Sequence, residues 1–200
     1  MEPEAKLTVR PVLPWATVAI TLLAGCALAF PAVGSALIYE RAPILHGQVW
    51  RAWTGHMVHF GLSHFFWDLA IFLPVGCWLE ILWPAKTRWF YLASPWIISA
   101  TMLAFDPGLL RYAGISGVAT GALVLLAGLH LRQRKSEPAW FWIAVLALVG
   151  VKIGHELFTG APLMVSDFSG IRTVPLAHIS GVLCGTGFVF LRGEKAGTAA

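Results

Sequence analysis

Charge is scarce in this chain. Asp, Glu, Lys and Arg make up 12% of its 200 residues, while 58% are hydrophobic; a soluble domain carries about 25% charged residues. That shortage leaves almost no length for a soluble domain and points to a polytopic membrane protein. The net charge is +4, but the basic residues fall in short clusters between apolar runs, which sets topology and excludes a nucleic-acid footprint. Cysteine is sparse too. Cys26, Cys77 and Cys184 lie far apart in apolar stretches, which excludes a disulfide framework or a Cys-based zinc site and reads as small packing residues. No internal repeat and no low-complexity segment is present.

What the chain does have is long apolar runs. A helix needs about 20 residues to span a bilayer, and six segments qualify, near 12–32, 60–82, 89–105, 115–131, 139–157 and 174–191. The expectation is an all-α membrane protein, a six-helix bundle forming one domain over residues 1–200. The third segment is short and holds Pro95. Lys6, Arg10, Lys86, Arg88, Arg132, Arg134, Lys135, Arg192 and Lys195 fall on one side of these spans. Arg41, Arg51, Arg111 and Arg172 fall on the other, with Lys152 inside a span. The positive-inside rule then places both termini in the cytoplasm. Ala32-Val33-Gly34-Ser35-Ala36 after the first run has the look of a leader cleavage site, but the run is long for a leader and leads straight to more spans. Residues 31–59 carry Ile44, Leu45, Trp50 and Trp53, and read as an external loop lying in the membrane interface, where Trp is favoured.

Polar residues in lipid are costly and ask for a reason. Spans two, four and six run from outside to inside, and their polar residues cluster near their starts: His64 and Asp68, Ser116, and His178. Each alone has a bland reading: a back-bonded serine, a packed histidine, an Asp68 paired with His64 or another nearby histidine. Their shared depth suggests peptide-bond chemistry inside a membrane. Gly114 and Gly117 flank Ser116 and permit a tight turn with close approach of a substrate chain. Gly181 and Gly185 follow His178 at spacings of three and seven, which favours a close helix contact. That contact would bring His178 to Ser116 as its base, with no third acid required. His64 and Asp68, one turn apart, could donate to an oxyanion with the Ser116 backbone N–H; Asp68 can do so only when protonated.

Two metal readings stand beside this one. A metal or haem site built from His56, His59, His64 and His178 is one alternative. His155-Glu156 begins like a zinc-protease motif, but Thr159 stands where the second histidine belongs. No metal and no cofactor is expected. Lys152 and Glu156, near the outer end of span five, read as a local ion pair, with a substrate-facing role as the other possibility.

Taken together, Trp50-Arg51, His56, His59, His64, Glu80, Gly114-Ile115-Ser116-Gly117 and Ala177-His178 with Gly181 and Gly185 resemble the rhomboid intramembrane serine proteases, over about residues 46–190. The resemblance implies a six-helix fold with a hydrated cavity open to the outside and a membrane-lying first loop over 33–59. It makes Ser116 the nucleophile and His178 the general base. His64, residue 68 and the Ser116 amide would form the oxyanion hole. Val151-Lys152…Glu156 and Val174-Pro175 are most similar to the rhombosortase branch, which is associated with proteins carrying a C-terminal Gly-Gly motif, a transmembrane helix and a basic tail.

Two positions depart from the family pattern. Asp68 stands where rhomboids commonly have Asn. Thr120 stands where they commonly have Tyr, or His in rhombosortases. The expected function is a Ser–His endopeptidase of membrane-anchored proteins, embedded in the lipid bilayer of a bacterial inner membrane with its site opening outward. The alternative is a catalytically inactive rhomboid-fold protein that binds membrane clients.

Overall fold

The structure, a computed structural model, describes residues 12–133, 137–161 and 173–191. Lys6, Arg10, Arg134, Lys135, Arg172, Arg192 and Lys195, on which much of the charge asymmetry rests, lie outside the described residues. The elements are α1 (Trp15–Ala29), α2 (Pro31–Leu37), β1 (Tyr39–Glu40), α3 (Arg41–Leu45), α4 (Arg51–Thr54), a 3₁₀ turn (Gly55–Met57), α5 (Leu62–Leu82), α6 (Pro84–Phe105), β2 (Arg111–Tyr112), α7 (Ser116–Gln133), α8 (Ala139–Thr159) and α9 (Pro175–Phe190).

Among the described residues the fold is helical apart from one short antiparallel bridge that pairs Tyr39 with Tyr112 and Glu40 with Arg111. α5 and α8 are long and apolar enough to cross a membrane. Leu22, Phe66, Trp89, Leu148 and Leu183, on five different helices, are large, apolar and exposed. An apolar exterior of this extent fits an acyl-chain environment rather than water. Cys26 also faces outward, so it is not the packing residue that its apolar setting suggests.

The helix ends correct the sequence reading in two places. The run expected over 12–32 does not stay straight. α1 stops at Ala29 and the chain turns by 116° into α2. Phe30, pushed to an extended φ of −117° and ψ of 98° by the proline that follows it, makes the corner. Near residue 89, the apolar run begins later than the helix does. α6 starts at Pro84, well suited to a first helical position, and its first turns use the basic residues that had read as loop. Lys86 Nζ donates to the carbonyls of Phe188 (2.9 Å) and Leu191 (2.8 Å), closing the end of α9. Arg88 Nε donates to Glu80 Oε1 at 2.9 Å. Glu80, fully buried, also accepts the N–H groups of Ala16 (3.1 Å) and Thr17 (2.9 Å), so a carboxylate satisfies the open start of α1.

α7 is the central helix. Most of its side chains are buried, and it packs on α5, α6, α8 and α9. Its closest partner is α9, and the contact is made of backbone. A Cβ on Gly117 would meet the Ala177 carbonyl oxygen at 3.0 Å, one on Gly185 would meet Gly121 Cα at 3.2 Å, and Gly128 faces Val189. Residue numbers rise together along both helices, so α7 and α9 run parallel and their N-terminal ends meet. The loop between α2 and α5 is tied to itself, to α2 and to the bundle by polar contacts. Arg51 Nη1 donates to the carbonyls of Ser35 and Ile38 (both 2.9 Å). His56 Nε2 lies 3.1 Å from Ser99 Oγ on α6, and Trp53 Nε1 donates to the Tyr91 carbonyl at 3.3 Å.

Candidate active site

Ser116 is the first residue of α7, and it is presented there by the turn before it. Gly114 has φ +122°, a conformation that residues with a Cβ rarely adopt. The buried Tyr112 donates its hydroxyl to the Gly114 carbonyl at 2.9 Å, which holds that turn. Burial pushes the Tyr112 phenol up from its ordinary range, so it stays a donor at neutral pH.

His178 lies in the first turn of α9, opposite. Its Nε2 is 2.9 Å from Ser116 Oγ. The small residues Gly117, Gly181 and Gly185 allow this: the helix backbones touch at Gly117 and Gly181, and side chains at their ends reach each other without a long linker. Ser116 and His178 are 62 residues apart in the chain.

A second polar group, centred on Asp68 in the second turn of α5, packs against the turn before Ser116. Asp68 Oδ2 accepts from His59 Nε2 at 3.1 Å and is 3.3 Å from His64 Nε2. The bare backbone of Gly114 fits against both; a Cβ there would stand 2.7 Å from His64 Nε2 and 3.2 Å from Asp68 Oδ2. The turn leading to Ser116 and the His64–Asp68 pair are therefore one packed unit. The bland expectation for Asp68, pairing with His64 or another nearby histidine, takes in His59, which also counts as a possible metal ligand. His59 is the second imidazole on Asp68.

The four histidines of the metal alternative are divided among three places. His56 is on Ser99, His59 and His64 are on Asp68, and His178 is on Ser116. Among the described residues, no group of three or more His, Cys, Asp or Glu side chains is arranged to hold a metal ion. Thr120 is buried one turn along α7 from Ser116 and brings no ring to the histidine.

Glu156 is what the sequence reading placed too locally. Its ion pair with Lys152 is present, Nζ to Oε1 at 2.6 Å. The other carboxylate oxygen reaches across to α9 and accepts from His178 Nδ1 at 2.5 Å. Lys152 Nζ lies 3.2 Å from Nδ1 and 3.3 Å from Nε2 of the same ring. A signal for Glu156 was available. The buried residues of α8 are Trp142, Val149 and Glu156, a stripe of seven-residue spacing whose last member is a carboxylate on the inward face.

The chain matches the Rhomboid domain family over residues 46–195, from the loop ahead of Trp50 to just past α9. It is 28% identical over 163 residues to Rhomboid-related protein 1 of Caenorhabditis elegans, a match that covers 77% of this chain. The chain spans 43% of that relative's length. With the family match taking in the loop before α5, the Asp68 cluster, Ser116 and His178, well over half of the sequence, the chain belongs to the rhomboid family.

Proposed function

We propose that this protein is an intramembrane serine endopeptidase acting through Ser116 and His178. The observation that carries the reading is the 2.9 Å contact between Ser116 Oγ and His178 Nε2 at the meeting ends of two parallel helices. It is the geometry that nucleophile and base need. Family membership supports the same chemistry.

In this reading His178 Nε2 takes the hydroxyl proton as Ser116 Oγ attacks the scissile carbonyl. The oxyanion is stabilised by the Ser116 N–H and by His64; Asp68 beside it would add a donor only in its protonated form. His178 then passes its proton to the leaving amine and the C–N bond breaks. Water, activated by the same imidazole, hydrolyses the acyl-enzyme and restores Ser116.

α1, α5, α6, α7, α8 and α9 would be the six spans, with α2 to α4 lying in the interface. Both termini would be cytoplasmic and the site would open to the external face of a bacterial inner membrane. Substrates would be membrane-anchored proteins. The Lys152…Glu156 and Val174-Pro175 sequences favour the rhombosortase branch, and with it C-terminal signals of Gly-Gly, an apolar helix and a basic tail.

A transmembrane protein bearing such a tail, reconstituted with the purified enzyme, tests this. Ser116→Ala and His178→Ala should each abolish cleavage while the protein stays folded. A serine-directed fluorophosphonate should label the wild type and not Ser116→Ala. Asp68, with its carboxylate in the oxyanion site, favours the second reading, an inactive protein that binds membrane clients. Absent labelling at every pH tested would decide for it.

A further inference from the structure

We propose that Glu156 and Lys152 act as an opposed pair that positions His178 and tunes its basicity, so that the Ser116–His178 dyad works as a charge-balanced relay of four residues. The inference rests on the reading of Ser116 and His178 as nucleophile and base, and adds to it two residues on a helix that the dyad does not require.

The valence of the imidazole ring sets the roles of its two nitrogens. Nε2 faces the Ser116 hydroxyl and must be the unprotonated nitrogen if it is to take that proton. Nδ1 then carries the hydrogen, and Glu156 Oε2 is its acceptor. A carboxylate there holds the imidazole in the required tautomer and orientation, and stabilises the imidazolium that forms when Ser116 gives up its proton. Glu156 is well placed to do this because it is fixed: its side chain is 2% exposed and its other oxygen is held by Lys152 at 2.6 Å.

Lys152 acts in the opposite direction. Both ring nitrogens already have partners, so its ammonium makes its hydrogen bond to Glu156 and only a charge contact with the ring. A cation about 3 Å from an imidazole disfavours a second positive charge on it. Among the described residues, the titratable and charged groups around His178 are Glu156 and Lys152 from α8, with Ser116 from α7, Tyr112 close to Ser116 and Glu156, and the Asp68–His59–His64 cluster beyond. The pair brings one negative and one positive charge, so it orients the base without locking it in its protonated form. Sequence order puts both on one face of α8, at i and i+4, and α8 has little else buried.

The test is the rate at which a fluorophosphonate labels Ser116 in the full-length protein in detergent or lipid, followed across pH. Glu156→Gln should slow labelling by about 10²- to 10⁴-fold and move the acid limb of the profile to lower pH. Lys152→Met should move that limb to higher pH. Glu156→Asp should recover part of the rate lost in Glu156→Gln. Opposite displacements are the signature, since a purely structural loss would lower the rate without moving the limb in either direction.

Lys152, 31% exposed at its side chain, keeps the test decisive if Glu156→Gln fails to fold. Wild-type labelling with the limb unmoved in Lys152→Met, or moved with the same sign in both variants, overturns the relay and leaves the dyad standing. Labelling of Ser116→Ala as fast as the wild type overturns the dyad itself.

Discussion

The carbonyl oxygen of Gly181 occupies the place where a side chain on Gly121 would begin, 2.5 Å from the position of its Cβ. This backbone contact, repeated at Gly117 and Gly185, sets how far α7 stands from α9, and so how far Ser116 stands from His178. Gly121 and Gly181 belong to the site in this sense, although neither carries a functional group.

Gly181→Ala is therefore expected to force the helices apart. The added methyl would meet backbone, which cannot rotate away, and overpacking of this kind costs about 1 to 3 kcal/mol. The thermal midpoint in detergent should fall, and cleavage should be lost well below the melting temperature because the Ser116–His178 distance lengthens. Gly187→Ala on the same helix is the control. Its Cβ would meet nothing within 4 Å, and replacing a helical Gly by Ala stabilises by about 0.5 to 1 kcal/mol. Equal thermal and activity effects of the two changes would argue against a distance-setting contact.

Gly114→Ala should remove activity for a different reason. φ is +122° there, and the new methyl would press on the His64 ring and the Asp68 carboxylate. The turn that presents Ser116 would have to move away from α5. Fluorophosphonate labelling should fall more steeply than stability. Unchanged labelling would separate Ser116 from the His64–Asp68 cluster.

Asp68→Asn is expected to raise activity. Asp68 Oδ2 accepts from His59 and lies against His64 Nε2, an arrangement that an amide oxygen can reproduce. The amide NH₂ would then be a donor toward the oxyanion, where a carboxylate opposes it. Since one such donor is worth about 10²- to 10³-fold, a gain of at least about tenfold in kcat is expected, largest toward high pH. Complete loss of cleavage in a folded Asp68→Asn protein would mean that the carboxylate itself is required.

His56 should make the loop between α2 and α5 sensitive to acid. Burial against α6 pushes it down from the ordinary 6.5 to about 4. Above pH 6.5 it is neutral in both the folded and the unfolded chain, and it costs nothing. Between pH 6.5 and 4 the unfolded chain takes up a proton that the folded one refuses, so stability falls as pH falls, by up to about 3 kcal/mol. Below about pH 4 both states are protonated and the loss levels off. His56→Gln, still able to reach Ser99, should flatten the drop in thermal midpoint between pH 7 and 4.5. An equally steep drop in the variant would assign the acid sensitivity to other groups.

The sequence by itself determined what local pattern can carry. The apolar runs make the chain helical and lipid-facing. Ser116, His178, His64 and Asp68 each stand near the start of such a run, and the glycines after His178 mark one face of α9 as backbone-bare. These are properties of one segment at a time, readable from spacing along a helix.

What only the tertiary structure decided is which side chain meets which. The bridge from β1 to β2 joins segments about 70 residues apart, and His59 meets His64 on Asp68 only through the fold of the loop before α5. Glu156 reads as a partner of Lys152 because i and i+4 are neighbours on any helix. That its second oxygen lands on His178 follows from how α8 leans on α7 and α9, a matter of packing between helices that no spacing within one of them contains.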